Sequence, residues 1–405
     1  MQLSGPVLRS KLLFCPLNHF KLSYRNLQDD LTYDLAVVGG GLAGLSLSIQ
    51  MAKAGHRVIL FEKEQYPFHR VCGEYISLES WDFLQGLGID LPALNVTHIK
   101  RLQVSDIKGV FFEQPLPLGG FGISRFKLDH ELAQIAKQAG VIIHEHTRVN
   151  DIRFSRELFT IESTKGNFIA KIVAGSFGKR SNLDVKWKRR FIVAKKNKLN
   201  NHIGVKYHIR YDLPDDLIAL HNFKNGYCGI SRVEGDEYCL CYLTTADNLQ
   251  NSSNDIRKME QSILSVNPHL KKIFNDCEIL WKEPVTISQI SFDKKNLIED
   301  HVLMIGDAAG MITPLCGNGM SMAMHAGKIA AEEISKFLKG TISREKMERN
   351  YTEKWKKLFA RRLRTGRMLQ RLFDNQWLTT LTIRVGRSFP LLIRKLIKQT
   401  HGDPF

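Results

Sequence analysis

The chain has 405 residues, more than the roughly 250–300 that one hydrophobic core usually holds, so two lobes or one large domain with an insert are expected. Hydrophobic residues make up 43% and charged residues 24%, which excludes disorder as a description of the whole chain. The net charge of +17 points to anionic partners: phosphates, nucleic acid or an anionic lipid surface.

The cysteines, Cys15, Cys72, Cys228, Cys239, Cys241, Cys277 and Cys316, include no CxxC pair. Neither a metal site nor a disulfide framework is indicated, and reduced thiols in a cytoplasmic setting are expected. No apolar run reaches the roughly 18 residues that span a bilayer. Residues 1–31 are basic, with a short apolar core and no A-x-A-like cleavage site. They read as a poorly ordered extension rather than a signal peptide.

The first organised segment is YDLAVVGGGLAGLSLSIQMAKAGHRVILFEK, Tyr33 to Lys63. DLAVVG suits a buried parallel strand, and the helical pattern after it stops at Gly55. Between them lies a G-x-G-x-x-G of Gly39, Gly41 and Gly44. Gly39 would permit the tight turn, Gly41 would let the backbone approach a pyrophosphate, and Gly44 would let helix and strand pack closely. The N–H groups at Leu42 and Ala43 open a helix whose positive end suits a diphosphate. HRVILFEK is a second strand, and Glu62 at its end can accept hydrogen bonds from ribose hydroxyls, with Lys63 beside it. Two predicted strands around the glycines, with the acid at the second strand's end, make this a specific dinucleotide signal.

FHRVCGEYIS, residues 68–77, follows and holds Arg70, Cys72, Gly73 and Glu74. Next, Arg125 precedes a predicted helix with an apolar stripe of Leu128, Leu132, Ile135 and Ala136. KIVAGSFGKRSNLD contains no Asp-Gly, and the basic run Lys186 to Lys198 is compatible with a solvated face. NGYCGISRVEGDEYCLCYLT, Asn225 to Thr244, reads as a β-hairpin around EGDE. Tyr227 lies in it, and Cys228, Cys239 and Cys241 read as packing residues.

HVLMIGDAAGMITPLCGNGMSMAMHAGKIAAEEI, His301 to Ile334, is a further strand, turn and small-residue helix. Asp307 at the strand end can bind a cofactor hydroxyl, Ala308 lets backbone approach, and Pro314 shapes the loop. The N–H groups of Gly317, Asn318, Gly319 and Met320, at a helix start, can face a group that carries negative charge. From Thr341 onward there are 16 Lys/Arg against 5 Asp/Glu. The pattern there is mostly helical, and its last segments permit an amphipathic helix for an anionic membrane surface.

The two Gly-rich segments together resemble the FAD fingerprints of glutathione-reductase-type flavoproteins, and more narrowly the para-hydroxybenzoate hydroxylase and geranylgeranyl reductase superfamily. The resemblance implies FAD as cofactor and Arg125 as an FAD contact. Geranylgeranyl reductases place a Cys-Gly-(Asp/Glu) segment after the second strand, so Arg70 would meet a phosphate or the flavin. Cys72 and Glu74 would then face substrate or ring as the candidate catalytic residues. Tyr227 matches one position of the reductases' Y-x-W-x-F-P strand, but Gly229 stands where the tryptophan would be and the F-P is missing. The Asp-Gly motif of the hydroxylases and the W-x-W-x-I-P motif of the flavin halogenases are both absent.

The expectation is an α/β chain, α+β overall. A Rossmann-like FAD-binding lobe would use 32–185 and 285–340, a β-rich substrate lobe 186–284, and a basic helical region 341–405. The activity implied is an FAD-dependent oxidoreductase acting on a lipophilic substrate, foremost a C=C reductase. A monooxygenase for an aromatic or polyketide ring is the alternative, and a nucleic-acid-associated flavoprotein a second one that lacks any recognisable binding module. The electron donor would be NAD(P)H, ferredoxin or flavodoxin. The setting would be cytoplasmic, with peripheral attachment to the inner membrane face as an option.

Overall fold

The apolar run before the glycines becomes an enclosed strand, with Leu35, Ala36 and Val37 fully buried. The computed structural model describes residues 32–193, 202–290, 292–373 and 375–405. The extension expected over 1–31 and the end of the basic run lie outside the described residues. In chain order the strands are β1 (Thr32–Val38), β2 (Val58–Phe61), β3 (Tyr75–Ser77), β4 (Thr97–Ser105), β5 (Phe111–Gly122) and β6 (Ile142–His144). A meander follows, β7 (Val149–Ser155), β8 (Leu158–Ser163) and β9 (Gly166–Gly175). Then come β10 (His202–Arg210), β11 (Leu217–Phe223), β12 (Gly226–Arg232), β13 (Tyr238–Thr245), β14 (Glu278–Ile279), β15 (Val285–Ile290), β16 (Ile298–Glu299) and β17 (Val302–Met304). The helices that matter for function are α1 (Leu42–Lys53), α2 (Arg125–Gln138), α3 (Gly319–Leu338), α4 (Arg344–Phe373), α5 (Gln376–Ser388) and α6 (Pro390–Thr400).

Two sheets organise the chain. The first runs β16-β17-β9-β1-β2-β6, with β8 joining β7 to β9. β1 pairs parallel with β2, and β2 with β6, so β1-α1-β2 is a parallel crossover unit. α1 ends where Gly55 takes a left-handed φ of 86°. The Gly55 N–H donates to Ala52 O and the His56 N–H to Met51 O, the two bonds of a Schellman stop. α3 lies across α1 at small residues: a Cβ on Gly327 would stand 2.6 Å from Ser46 Oγ and 2.9 Å from Ala43 O.

The second sheet runs β14-β10-β13-β12-β11-β4-β5-β3, with β15 added on β10. The expected hairpin is β12 and β13, paired antiparallel with Tyr227 opposite Leu243. The strands between 75 and 122, inside the stretch expected in the flavin lobe, pair here instead. The link is β4, which joins β11 in parallel, Leu217 opposite Arg101. α2 buries Leu128, Leu132 and Ala136 as the stripe predicts, while Ile135 is half-buried.

The C-terminal region is helical. α4 turns Met347, Tyr351, Trp355 and Phe359 inward at four-residue spacing. α5 lays Thr379, Ile383 and Gly386 on β5, where Gly386 leaves room for the Phe112 ring. After α6 the chain folds back. Asn318 Nδ2 donates to Thr400 O at 2.8 Å, and Gly402 N–H donates to the Glu79 carboxylate, which also pairs with Arg362. Phe405 stacks on His325 with ring centroids 4.0 Å apart. The basic segments are therefore not solvated throughout: Arg189, Arg344 and Arg362 are buried, and Arg189 bonds Asp184 at 2.7 Å and Ala308 O at 3.2 Å. Among the described residues, no helix is long and apolar enough to cross a membrane.

Candidate cofactor and active site

The three fingerprint glycines do three different jobs. Gly39 has φ 108°, and a Cβ there would strike the Ser176 carbonyl. A Cβ on Gly44 would strike the Gly39 carbonyl, so helix and turn touch. Gly41 is open: among the described residues, the only atom near a Cβ there is Arg125 Nη2, at 3.8 Å. Gly41 is the N-cap of α1 and makes no side-chain cap, leaving the first N–H groups of the helix for an anion. This cradle, with a guanidinium at its rim, fits the diphosphate of FAD.

Asp129 organises the arginines and was not singled out from sequence. It is fully buried and takes a two-pronged contact from Arg125, Nε to Oδ1 and Nη2 to Oδ2, both at 2.7 Å. Its Oδ2 also accepts from Arg70 Nε at 3.0 Å. Arg70 reaches on to Glu62 Oε2 at 3.0 Å, which also accepts the Gly40 N–H at 2.9 Å. Glu62 is thus buried and braced against the Gly-rich turn, while Lys63 is exposed and pairs loosely with Glu64 at 3.4 Å. Only the i,i+4 spacing of Arg125 and Asp129 could have signalled the cluster.

The second fingerprint meets the first. Gly306 has φ 58°, and a Cβ there would sit 3.0 Å from Ala43 Cβ. Asp307 follows; burial raises its carboxyl above the ordinary range, opposed by Lys295, Arg125 and Lys179. Lys295 Nζ donates to Asp307 O at 2.8 Å, and burial brings that lysine down to about 8. Ala308 is fully buried. Pro314 begins a single 3-10 turn, Gly317 takes φ 63° beneath the Tyr75 ring, and Asn318 is the N-cap of α3. Gly319 and Met320 open the helix, so α3, like α1, begins at a Gly-rich turn, and Gly306 of the second turn touches Ala43 of the first.

The Arg70–Glu74 segment lies between α3 and the second sheet. Cys72 Sγ is 3.6 Å from Met320 Sδ, and Cys72 O accepts from Cys239 Sγ at 3.2 Å. Burial pushes the Cys72 thiol up, so it stays protonated at neutral pH. Glu74 has a left-handed φ of 55°, an uncommon conformation for a residue with a side chain, and such residues cluster at functional sites. Its carboxylate is fully buried. It accepts the Arg125 N–H at 2.7 Å, pairs with Lys206, and accepts from His208 Nε2 at 2.7 Å. Burial would raise its pKa, but Lys206 and His208 overcome that and hold it at about 2. For Lys206 burial lowers the pKa and Glu74 raises it, with a net upward shift. His208 Nδ1 meets Glu237 at 2.9 Å, and Glu237 is 40% exposed. A hydrogen-bonded chain therefore runs from the surface through His208 to Glu74. Trp281 stacks on His208 and touches His69. The His69 pKa falls to about 4, through burial and the charges of Lys206 and His208.

Glu74, His208 and Cys239 lie close enough together to ligate one cation, which the cysteine spacing did not suggest. Lys206 already pairs with Glu74, and its ammonium would repel a metal there. Cys228 and Cys239 are buried and their pKa values are driven up by burial. Tyr227 is buried in an apolar cluster with Leu243, Ile290 and Phe292, and Leu220, Met311 and Leu315 pack against it. The cluster joins the second sheet to the loop before α3.

A Gly-rich crossover and a second strand–turn–helix, closed by a β-sheet lobe, define an FAD-binding oxidoreductase. The chain belongs to the family described as FAD binding domain, whose model matches residues 32–364. It is similar to conditioned medium factor receptor 1 of Dictyostelium discoideum, 24% identical over 385 residues, covering 85% of this chain and 71% of that protein. It is also similar to digeranylgeranylglycerophospholipid reductase of Methanocaldococcus jannaschii, 25% identical over 396 residues, covering 93% of this chain and 96% of that protein. Among solved structures, the flavin-dependent brominase Bmp2 superposes with a TM-score of 0.73 at 20% identity, covering 91% of this chain and 93% of that one. That likeness is one of fold.

Proposed function

We propose that this FAD-dependent enzyme reduces C=C bonds in a lipophilic, isoprenoid-like substrate. The observation that carries the reading is the placement of Cys72 and Glu74. That segment sits between Met320 at the start of α3 and the second sheet, and a Cβ on Gly204 would meet both Val71, beside Cys72, at 3.0 Å and Ile290 of the Tyr227 cluster at 3.7 Å. Support also comes from the likeness to a digeranylgeranylglycerophospholipid reductase along nearly the whole chain. The absence of W-x-W-x-I-P, the motif of the flavin halogenases, adds support to the reductase reading.

FAD, when bound, supplies the two-electron chemistry. The chain's own residues bind it and manage the proton. Gly41, the α1 N-terminus and Arg125 would hold the diphosphate, Asp307 the ribityl chain, and the N–H groups from Gly317 to Met320 the ring edge. Tyr227 and its apolar neighbours would exclude water around the double bond. Saturating a C=C bond also consumes a proton at carbon. Cys72, kept as a thiol, would be the proton-bearing group beside Met320, and the chain from Glu237 through His208 to Glu74, two residues further on, would link that neighbourhood to solvent. In this reading the partners are a lipophilic substrate, an electron donor (NAD(P)H, ferredoxin or flavodoxin) and an anionic membrane surface.

The test is a single turnover under strict exclusion of oxygen. Protein reduced with dithionite is mixed with a polyprenyl phospholipid, and the product is weighed by mass spectrometry. Loss of unsaturation supports the reductase reading. A product formed only with dioxygen, and carrying an oxygen or halogen atom, would replace it with the monooxygenase reading.

A further inference from the structure

The last two helices expose large apolar side chains together, where a free surface usually shows them singly. Trp377 is 70% exposed and Leu381 44%. Both lie on the side of α5 opposite its buried Thr379, Ile383 and Gly386. Phe389, at the junction with α6, is 63% exposed, and the first turn of α6 shows Leu391 at 79% and Leu392 at 56%. Exposed Arg384, Arg387, Arg394, Lys395 and Lys398 stand among them. From Asn375 to Thr400 the sequence holds no Asp or Glu.

We propose that this face docks on an anionic lipid bilayer. The aromatic and leucine side chains would enter the boundary between headgroups and acyl chains, and the arginines and lysines would meet lipid phosphates. A second copy of the chain fits poorly, because two such faces would bring cation against cation with no acid between them. Nucleic acid would satisfy the charge but leave Phe389, Leu391 and Leu392 in water. The lipid reading also connects to the site. Ile383 and Ile393, on the inner sides of the two helices, cluster with Val104 and Phe112, and Leu220 packs both on that cluster and on the one around Tyr227. An apolar layer thus continues from beneath the docking face to the expected substrate pocket.

Docking is measured without turnover, so its outcome is independent of the reductase reading. The full flavin-loaded chain is sedimented with vesicles of phosphatidylglycerol and phosphatidylcholine, and with phosphatidylcholine alone. Binding to the anionic vesicles, weakened by salt, is expected. Leu391→Ser with Leu392→Ser should lower the partition about thirtyfold, somewhat under tenfold for each partly inserted leucine. Flavin absorbance should be unchanged. Lipids brominated in the acyl chain should quench part of the tryptophan emission, and that part should vanish in Trp377→Phe. This second measurement decides the matter if the double variant fails to fold. Absence of binding to anionic vesicles overturns the proposal, as does equal binding by the leucine variant. Dimerisation, or duplex DNA binding, through the same residues without vesicle binding would also overturn it.

Discussion

Glu74→Gln is the sharpest perturbation of the buried chain. The substitution keeps the shape of the side chain but removes the charge that Lys206 and His208 face. Against burial, which would raise it, Lys206 and His208 hold the Glu74 carboxyl at about 2, below its ordinary 4.5, which corresponds to about 3 kcal/mol of stabilisation at neutral pH. An independent expectation agrees: leaving Lys206 buried without its partner costs about 3–5 kcal/mol. Because the folded pKa is depressed, the contribution is fully present above pH 4.5 and is lost as the pH falls through about 2. Urea unfolding followed by tryptophan fluorescence at pH 7 should show the loss. Stability of the parent between pH 5 and 3 should fall more steeply than that of Glu74→Gln. Adding Lys206→Met should restore about 2 kcal/mol by removing the orphaned ammonium. A single variant within about 1 kcal/mol of the parent would refute the reasoning, as would a double variant that costs the sum of the two singles.

Gly41→Val should fold but lose flavin, because the added side chain fills the open side of Gly41 beside Arg125; a yellow, flavin-loaded variant would show that the diphosphate lies elsewhere. Asp307→Ala should weaken FAD by about 1–3 kcal/mol, a fivefold to 150-fold rise in Kd in a titration of apoprotein. Cys72→Ala should lower turnover while FAD content stays near parent, since a group acting at the transition state is felt in rate rather than in cofactor retention. His208→Gln should change the shape of the pH–rate profile with FAD content intact, because it interrupts the chain between Glu74 and Glu237; a profile of unchanged shape at lower amplitude would leave His208 a packing residue.

The crossover from Tyr33 to Lys63 was legible because its rules are local. Gly39, Gly41 and Gly44 act within a few residues of one another, and the Schellman stop at Gly55 needs only its own turn. The second fingerprint was legible for the same reason. The charge clusters were not, because their members come from distant segments. Arg70 meets Asp129 across 59 residues, and Glu74 meets His208 across 134. The alternation around Lys206 and His208 in β10 would ordinarily mark a solvent-facing side, yet that side is buried against Glu74. Arg189 misled in the same way: in sequence it belongs to a basic run, and in space it is a fully enclosed brace between Asp184 and the turn at Ala308.

The return of the chain from α6 has a mechanical consequence. Thr400, the last residue of α6, is bonded to Asn318, which opens α3. Gly402 and Phe405 add two more anchors, at Glu79 and His325. Residues 400–405 would thus work as a strut, fixed at one end to the helix that would rest on lipid and at the other to the helix whose first turn would face the cofactor. A load that tilts α6 would reach Asn318 through its 2.8 Å hydrogen bond to Thr400. Arrival at a bilayer would then be sensed as a change in the colour of the flavin, and cutting the chain before Thr400 would silence that signal.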